Sequence, residues 1–347
     1  MNKPYDLAVF IGRLQGLHSP HASLIERASQ LSDKVLVIIG SADRPRTFKN
    51  PFTTEERRQM VMALAPSIES QLVTDHVYDN TYNDTAWAAH VQKVVSKHIP
   101  LKWSDRPKKV ALVGHKKDET SFYLDMFPQW DYIDQKSIEP LSASQIRELY
   151  FCNSVNMNFI RGVVPESTFL FLEKFKETSE YQQIIREREF IETNKKQYEH
   201  LKYGIIFQTV DAIVVQSGHV LMIKRRAEPG KGLWAFPGGY LDAKKDRTVE
   251  DGMIRELFEE TGIKVPEKVL RGSITKRKRY DAINRSERGR IITDAFKIEL
   301  EDSQPLPRVR GADDAEKAKW IPIAEIRRDQ CFEDHYEILQ DMKVGVA

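Results

Sequence analysis

Two histidines near the amino terminus have a spacing that suits phosphate chemistry. His18 and His21 follow an apolar run, residues 7–11, that ends at Gly12. Glycine lets the backbone approach a phosphate closely, and imidazoles at a helix start can donate hydrogen bonds to a polyphosphate. Such a site stabilises negative charge that develops on a phosphate and supplies no covalent nucleophile. A histidine pair by itself is also compatible with an ordinary loop or helix-capping role.

Three glutamates in the second half of the chain suit metal chemistry. Glu256, Glu259 and Glu260 occupy positions i, i+3 and i+4 of a predicted helix between the cap residue Thr248 and the stop residue Gly262. Carboxylates this close repel one another unless a cation lies between them, and such oxygen ligands suit Mg²⁺ or Mn²⁺. The cation can also bridge a diphosphate. The alternative is a solvated acidic helix face.

The composition limits the classes of protein to which the chain can belong. Its 347 residues predict about two domains. The 53 basic and 51 acidic residues give a net charge of +2, which does not predict a nucleic-acid surface. Two distant cysteines, with no signal-like segment and no apolar run of membrane-spanning length, predict a cytoplasmic protein that does not contact membranes.

The elements that would position the histidines alternate between strands and helices. Apolar runs predict three buried strands, and amphipathic patterns predict helices between them. The strands are residues 7–11, 35–39 and 110–113, and the helices are residues 22–31, 54–65 and 84–97. This alternation is typical of an α/β, Rossmann-like, doubly wound parallel sheet, in which ligands bind at the carboxyl edge.

The elements around the glutamates predict an α+β domain. One helix, residues 248–261, interrupts strands predicted at residues 205–216, 219–224, 269–276 and 291–300. A charged stretch at residues 173–201 predicts a helix that either links the domains or closes the first one. The predicted division is residues 1–178 for the first domain, 179–201 for a linker and 202–347 for the second domain.

Several motifs of the first half resemble those of the nucleotidyltransferase superfamily. His18 and His21 match its H-x-G-H or H-x-x-H element. Gly40-Ser41-Ala42 and residues 50–57, N-P-F-T-T-E-E-R, look like archaeal-type nicotinamide mononucleotide (NMN) adenylyltransferases. The resemblance implies transfer of AMP from ATP to NMN, with NAD and diphosphate as products. That family often has Phe at the position of Leu14 and Pro-Phe at that of Gly16-Leu17.

The resemblance also implies roles for individual residues. Catalysis would fall to His18, His21 and Arg147. Nucleotide binding would involve Gly12, Arg13, Gly40, Ser41, Asn83, Trp87, Gly114, Lys117, Ser142 and Ser144. Ser142 is a suitable helix cap, so a helix N-terminus, hydroxyl groups and Arg147 would hold the triphosphate. Trp87 can stack on a cationic nicotinamide ring, or it can be a core tryptophan.

Residues 255–263, R-E-L-F-E-E-T-G-I, resemble the second half of a Nudix box, G-x5-E-x7-R-E-U-x-E-E-x-G-U with U apolar. The first half of the box departs from that pattern. Arg247 stands where the box has Glu, and Gly239 lies two residues further away than the pattern requires. Asp242 and Asp246 are candidates to replace the missing Glu. The resemblance implies that Glu256, Glu259 and Glu260 are the ligands of Mg²⁺ or Mn²⁺.

Basic clusters in the second half resemble the Nudix branch that acts on ADP-ribose. Arg225, Arg226, Arg288 and Arg290 would bind the diphosphate, because a guanidinium can hold phosphate oxygens through two hydrogen bonds. Glu316, in a later acidic loop, is the first candidate for the general base or an added metal ligand. The implied products are AMP and ribose 5-phosphate.

As a whole, the chain resembles bacterial fusions of an NMN adenylyltransferase with a Nudix hydrolase. The expected partners are ATP, NMN, NAD and ADP-ribose, and a homo-oligomer is compatible with the sequence. One alternative is that the Nudix half binds NAD-related ligands as a sensor without hydrolysing them. Another is that the first half acts on phosphopantetheine or nicotinate mononucleotide.

Overall fold

The chain folds as two compact units, Met1–Ile185 and Arg186–Ala347, in the computed structural model. The structure describes residues 3–64, 68–99, 109–116, 119–135, 141–152, 154–310 and 315–346. The division between the units falls within the charged segment predicted between the domains. Domain limits at residues 178 and 202 therefore remain a proposal.

A parallel sheet forms the centre of the first unit. Its strands are β1 (Tyr5–Gly12), β2 (Ser32–Ile39), β3 (Leu72–His76), β4 (Val110–Gly114) and β5 (Asp131–Asp134). The order across the sheet is β3-β2-β1-β4-β5, and every neighbouring pair is parallel. The predicted Rossmann-like fold of this half is confirmed. β3 and β5 were not predicted because they are short and carry polar residues.

Helices cover both faces of this sheet. They are α1 (Ser19–Leu31), α2 (Thr54–Met62), α3 (Asp84–His98), α4 (Ala143–Tyr150), α5 (Met157–Val163), α6 (Glu166–Phe175) and α7 (Ser179–Lys196). Successive strand residues point to opposite faces, so Ala8 and Phe10 of β1 join one core cluster while Leu7 and Val9 join another. The sheet is therefore buried on both sides, as a parallel sheet requires.

The charged stretch is not one continuous helix. α6 ends at Phe175 and α7 begins at Ser179. Tyr181, Ile184 and Ile185 of α7 belong to a core cluster of the first unit. The amino-terminal part of α7 therefore closes the first unit, which was one of the two alternatives for this stretch.

A mixed sheet forms the second unit. Its strands are β6 (Ile206–Gln216), β7 (His219–Arg225), β8 (Trp234–Ala235), β9 (Gly238–Tyr240), β10 (Ile274–Tyr280), β11 (Arg290–Glu299) and β12 (Ala315–Pro322). The main path is β10-β11-β6-β7-β12, in which β6 and β11 are parallel and the other neighbours antiparallel. The helices of this unit are α8 (Val249–Thr261), α9 (Glu267–Gly272) and α10 (His335–Asp341). The predicted α+β fold is confirmed.

One predicted strand of this unit is wrong in its first part. Residues 269–272 belong to helix α9, which follows Pro266, and strand β10 begins at Ile274. Proline fixes a backbone angle compatible with a helix start, and Leu270 buries its side chain on one face of the turn. None of the helices in the described parts of the chain has the length and the apolar character needed to cross a membrane.

Candidate active sites

The carboxyl ends of β1 and β2 bring the first group of predicted site residues together. Gly12 is the register partner of Ile39, and the Gly40 amide donates a hydrogen bond to the Gly12 carbonyl at 2.9 Å. The two loops that leave these strands carry Arg13 and Ser41. The edge predicted to bind a nucleotide is thus lined by backbone from two adjacent strands.

A buried arginine ties these two loops together. Arg57 of α2 is 1 % exposed, and its guanidinium donates to the carbonyl oxygens of Arg13 and Gly40 at 2.6 Å and of Ser41 at 3.0 Å. Burial lowers the pKa of Arg57 to about 10, so the side chain stays charged at neutral pH. The arginine of the N-P-F-T-T-E-E-R segment therefore fixes the spacing of the loops, a role that the sequence did not predict.

The loop after β1 is held from two further directions. The Gln15 side chain exchanges hydrogen bonds with the Phe52 backbone, at 3.0 Å to the carbonyl and 2.9 Å from the amide. Arg147 of α4 donates to the Gln15 carbonyl at 2.8 Å and to the Ser144 hydroxyl at 3.0 Å. Arg147 is therefore adjacent to the histidine loop, and its two terminal nitrogens organise backbone and hydroxyl groups there.

The two histidines form a pair at the start of α1. His18 is the residue before the helix and is buried, whereas His21 is half-buried. Their Nδ1 atoms lie 2.8 Å apart, with the rings at 85° to each other. One Nδ1 must carry the proton that the other accepts, so the pair shares a proton. The side chains predicted to contact a phosphate are thus in direct contact with each other.

Trp87 lies on α3 behind the helix cap Asn83, whose side chain accepts a hydrogen bond from the Ala86 amide at 3.0 Å. The Trp87 ring meets the rings of Tyr123 and Phe127 at centroid distances of 5.9 and 6.0 Å. These contacts place it in an aromatic group at the edge of a core cluster, with the indole only half-buried. Both alternatives for this tryptophan remain compatible with its position.

The remaining predicted residues of the first site lie at helix and strand ends. Ser142 caps α4 and forms reciprocal hydrogen bonds with Gln145, as a capping residue should. Gly114 ends β4, and a Cβ there would meet the Leu124 side chain at 3.0 Å, which is a tight contact. Lys117 lies outside the described residues.

A cavity of about 350 Å³ in the second unit gathers most of the predicted residues of that half. Arg225, Arg226, Glu256, Glu259 and Glu260 line it. Arg288 and Arg285, both from the basic cluster at residues 285–290, line it as well. The lining also includes residues that were not predicted, among them Asp211, Tyr240, Phe332, Glu333 and His335.

Glu260 is the most buried of the three glutamates, at 6 % exposure. Its carboxylate accepts a hydrogen bond from the Gly238 amide at 2.9 Å. Burial raises the pKa of Glu260 to about 8, and the neighbouring carboxylates of Glu256 and Asp211 act in the same direction. A carboxylate cluster of this kind favours a proton or a cation, which matches the predicted metal chemistry.

Arg255 of the Nudix-like segment holds three carboxylates at once. It donates to Asp246 through two nitrogens at 2.9 and 2.7 Å, to Glu256 at 2.8 Å and to Glu259 at 2.9 Å. The Asp246 side chain is 4% exposed, and it also accepts a hydrogen bond from the Asp242 amide. Of the two aspartates considered as substitutes for the missing Glu, Asp246 is the one that pairs with Arg255.

The two glycines before the helix allow close packing at this cavity. A Cβ at Gly239 would lie 2.8 Å from the Glu256 carboxylate, and one at Gly238 would lie 2.1 Å from the Val210 carbonyl. Real Cβ atoms do not come so close to other atoms. The Gly-Gly pair therefore lets β9 approach both α8 and β6 and so defines the cavity wall.

Two predicted residues are not placed in this cavity. Arg290 does not line it, and its side chain donates to the Asp281 carbonyl at 2.5 Å. Glu316 has its backbone in β12, where the pairing with β7 shifts between Ala315 and Lys317, and its side chain lies outside the described residues. The sequence-based assignment of Glu316 as the general base remains a proposal.

Comparison with known proteins gives a consistent result for both halves. Residues 9–149 match the Cytidylyltransferase-like family, and residues 207–342 match the NUDIX domain. A nicotinamide/nicotinic acid mononucleotide adenylyltransferase of Acinetobacter baylyi is 35% identical over 182 residues, 52% of this chain and 92% of that protein. An ADP-ribose pyrophosphatase of Methanocaldococcus jannaschii is 31% identical over 132 residues, 38% of this chain and 70% of that protein.

A solved structure resembles the whole chain. It is a bifunctional NMN adenylyltransferase/ADP ribose pyrophosphatase from Francisella tularensis, with a TM-score of 0.89, 34% sequence identity, and coverage of 98% of this chain and 99% of that one. A second structure of the Francisella enzyme, with a TM-score of 0.88, 33% identity and coverage of 98% and 100%, is a complex with AMP and a manganese ion. The chain belongs to the family of bifunctional NMN adenylyltransferase/ADP-ribose pyrophosphatases.

The second site of this family member fits a hard divalent cation by its chemistry. Glu256, Glu259 and Glu260 supply carboxylate oxygens, and burial raises the pKa of Glu256 as well as that of Glu260. Among the described residues, no three acidic, histidine or cysteine side chains are already arranged around a metal position. The hydrogen bonds from Arg255 use Oε1 of Glu256 and Oε2 of Glu259, so each carboxylate retains a second oxygen with which to ligate a cation.

Several residues of the pyrophosphatase cavity escaped the sequence analysis because their partners are distant in the chain. Asp211 of β6 accepts a hydrogen bond from Thr293 of β11 at 2.6 Å, and burial raises its pKa to about 6. His335 accepts a hydrogen bond from the Phe236 amide at 3.0 Å, and burial lowers its pKa to about 3. These residues belong to no motif, and only the fold brings them together.

Proposed function

We propose that the first unit transfers AMP from ATP to NMN and that the second unit hydrolyses ADP-ribose to AMP and ribose 5-phosphate. The observation that carries the proposal is the match along nearly the whole chain to the Francisella enzyme. The contact between His18 and His21 in the first unit and the position of Glu256, Glu259 and Glu260 in the cavity of the second unit support it. The proposed setting is the cytoplasm, and the proposed metal is Mg²⁺ or Mn²⁺.

In the proposed transfer reaction, a phosphate oxygen of NMN attacks the α-phosphorus of ATP. The bond from that phosphorus to the β-phosphate oxygen breaks, and diphosphate leaves. His18 and His21, at the amino end of α1, would donate hydrogen bonds to the phosphate oxygens on which charge develops. Arg147 and the capped start of α4, with Ser142 and Ser144, would hold the departing diphosphate.

In the proposed hydrolysis, a water oxygen attacks one phosphorus of ADP-ribose. The bond from that phosphorus to the bridging oxygen breaks, and the other phosphate leaves with this oxygen. Glu316 would accept the proton of the water. Arg225, Arg226 and Arg288 would bind the diphosphate oxygens. Glu256, Glu259 and Glu260 would hold the divalent cation, which neutralises charge and lowers the pKa of water when bound.

The test is product analysis with the full-length protein and Mg²⁺ or Mn²⁺. NAD formed from ATP and NMN would support the first activity, with nicotinate mononucleotide as the competing substrate. AMP released from ADP-ribose, and not from NADH or diadenosine polyphosphate, would support the second. An absence of ADP-ribose turnover with both metals would overturn the hydrolase assignment and point to a ligand-sensing unit.

A further inference from the structure

Two of the cavity arginines contact the same aromatic ring. The Arg225 guanidinium carbon lies 4.0 Å from the centre of the Phe332 ring, and that of Arg288 lies 5.3 Å from the same point. Phe332 itself is buried at 4 % exposure. Gly230 makes room for it, because a Cβ there would lie 2.4 Å from the ring. Phe332 is thus a shared platform for two cations.

The next residue holds one of these arginines from the side. Glu333 accepts a hydrogen bond from Arg288 at 3.1 Å and another from the Ser286 hydroxyl at 2.5 Å. Ser286 also accepts from the Arg288 Nε at 3.2 Å. Glu333 has a positive φ of 43°, which side chains rarely adopt, so its contacts hold an unusual backbone conformation. The Phe332 ring, Glu333 and Ser286 therefore hold the Arg288 guanidinium in one orientation.

The segment that carries both residues is itself anchored. The Phe332 amide donates to the Trp234 carbonyl at 2.8 Å. Asp334 forms a buried ion pair with Arg285, with nitrogen to oxygen distances of 2.8 and 3.0 Å. Side-chain exposures of 2% and 4% leave this pair out of contact with solvent. Because Asp334 already neutralises Arg285, this arginine serves to hold the segment of Phe332 and Glu333 in place.

Two guanidinium groups on one ring repel each other, and the repulsion is greater where water is scarce. The negative face of the Phe332 ring and the Glu333 carboxylate offset that repulsion. A bound diphosphate would offset it further. The same contacts keep both arginines at a fixed spacing before any ligand arrives, which lowers the ordering cost of binding.

We propose that Phe332 and Glu333 are positioning residues of the hydrolase site, which hold Arg225 and Arg288 as a preformed pair for the diphosphate of the substrate. Neither residue needs to touch the reacting atoms. The inference rests on the proposed hydrolysis of ADP-ribose. It predicts a specific kinetic signature, because a loosened arginine pair weakens substrate binding more than it slows the chemical step.

The experiment measures kcat and KM for ADP-ribose in full-length variants. Phe332→Leu removes the ring face at similar volume, and we expect KM to rise about tenfold with kcat changed less than about twofold. Phe332→Tyr keeps the ring and should have the KM of the unaltered protein. Glu333→Gln, at a half-buried position, should raise KM about threefold to tenfold, and it tests the proposal should the leucine variant fail to fold.

Matched controls lie close by in the chain. Tyr336→Leu removes a comparable cation–ring contact with Arg328, at 4.4 Å, that does not line the cavity. Asp329→Asn removes an exposed carboxylate that pairs with Arg327. Both controls should keep the KM of the unaltered protein. NAD synthesis by the first unit reports whether each variant has been made as an intact chain.

The outcomes separate the inference from the function on which it rests. If Phe332→Leu and Glu333→Gln keep the original KM, or if they lower kcat alone, the positioning role is overturned. If the unaltered protein does not hydrolyse ADP-ribose, the proposed function fails, and calorimetric binding of ADP-ribose then replaces KM as the readout. Equal ADP-ribose affinity of the unaltered, Phe332→Leu and Glu333→Gln proteins would overturn the positioning role in that case.

Discussion

The two units hold their key arginines in opposite ways. In the first unit, the buried Arg57 donates to four main-chain carbonyl oxygens, and Arg147 donates to a further carbonyl and a hydroxyl. In the second unit, Arg255 and Arg285 are paired with carboxylates. The first site is thus shaped by hydrogen bonds to backbone, and the second by a network of opposite charges.

This difference implies different sensitivities. Carbonyl oxygens do not titrate, so the geometry of the first site depends on the arginines being present. The second site contains carboxylates whose pKa values are raised by burial, such as Glu260, so its geometry depends on what neutralises them. Substitutions that remove a charge should therefore change both the activity and the stability of the second unit, and some of them should lower the activity while they raise the stability.

The largest effect is expected for Glu260→Gln. This change should lower ADP-ribose hydrolysis by about 1000-fold or more, because a proposed ligand for the cation is lost. It should also stabilise the second unit. The pKa of Glu260 is raised to about 8 in the folded state from a usual 4.5, so its contribution to stability falls as the pH rises through that interval, and glutamine has no such dependence. We expect a gain of about 1–3 kcal/mol at pH 8 without metal, measured by urea unfolding.

The reciprocal control is His18→Ala in the first unit. It should abolish NAD synthesis and leave ADP-ribose hydrolysis unchanged, whereas Glu260→Gln should leave NAD synthesis unchanged. Loss of both activities from either single change would contradict two independent sites.

A smaller effect is expected when the carbonyl-binding arginine of the first unit is removed. Arg57→Met leaves the carbonyls of Arg13, Gly40 and Ser41 without their buried donor, which costs about 3 kcal/mol or more. NAD synthesis should fall about 100-fold, because the loops around the histidines lose their spacing. The measurement is NAD synthesis across a urea series.

The neighbouring Arg58 provides the control for this change. Its side chain is half-exposed and pairs with Glu55 of the same helix, α2. Arg58→Met should leave NAD synthesis and the urea midpoint close to those of the unaltered protein. Equal damage from both substitutions would show that the carbonyl contacts of Arg57 have no special role.

Asp246→Asn should have a more moderate effect on hydrolysis. Asp246 is the buried partner of Arg255, which in turn holds Glu256 and Glu259. We expect kcat/KM for ADP-ribose to fall about tenfold, in line with the loss of a residue that orients the proposed metal ligands Glu256 and Glu259. Asp242→Asn is the control, because the Asp242 side chain bonds the nearby Lys244 amide and not Arg255. A larger loss from Asp242→Asn would assign the role of the missing Nudix Glu to Asp242.

The sequence was sufficient for features that are local in the chain. Thr248 and Gly262 delimit α8 as their capping chemistry predicts, with the Thr248 hydroxyl accepting from the Asp251 amide and Gly262 at φ 52°. The shared helix face of Glu256, Glu259 and Glu260 follows from the same local periodicity. Alternating apolar runs likewise predicted the order of the main strands and helices.

Features that depend on distant pairing were not predictable. The Arg285–Asp334 pair joins residues 49 positions apart, and no motif links them. Phe332 and His335 reach the cavity because the segment before α10 packs beside β8, through the isolated bridge between Trp234 and Cys331. Strands with several polar residues, such as β3, show little alternation of apolar and polar residues in the sequence. Their position in the sheet is fixed by pairing with the neighbouring strand.

The smallest expected effect concerns His335 and tests the charge network without touching a proposed ligand. Burial lowers the pKa of His335 to about 3 from its usual 6.5, with the nearby Arg285 acting in the same direction. The unfolded state therefore binds the proton first, and the stability of the second unit should fall as the pH drops below about 6.5. His335→Asn keeps an acceptor for the Phe236 amide but cannot titrate. Asp211 and Glu260 have raised pKa values, so they make both proteins more stable as the pH falls, and the difference between the two proteins isolates the histidine.

The measurement is the free energy of unfolding in urea at pH 8 and at pH 5.5. Between these two pH values, His335→Asn should lose about 1 kcal/mol less stability than the unaltered protein. Parallel pH profiles of the two proteins would mean that the surroundings of His335 do not hold it neutral.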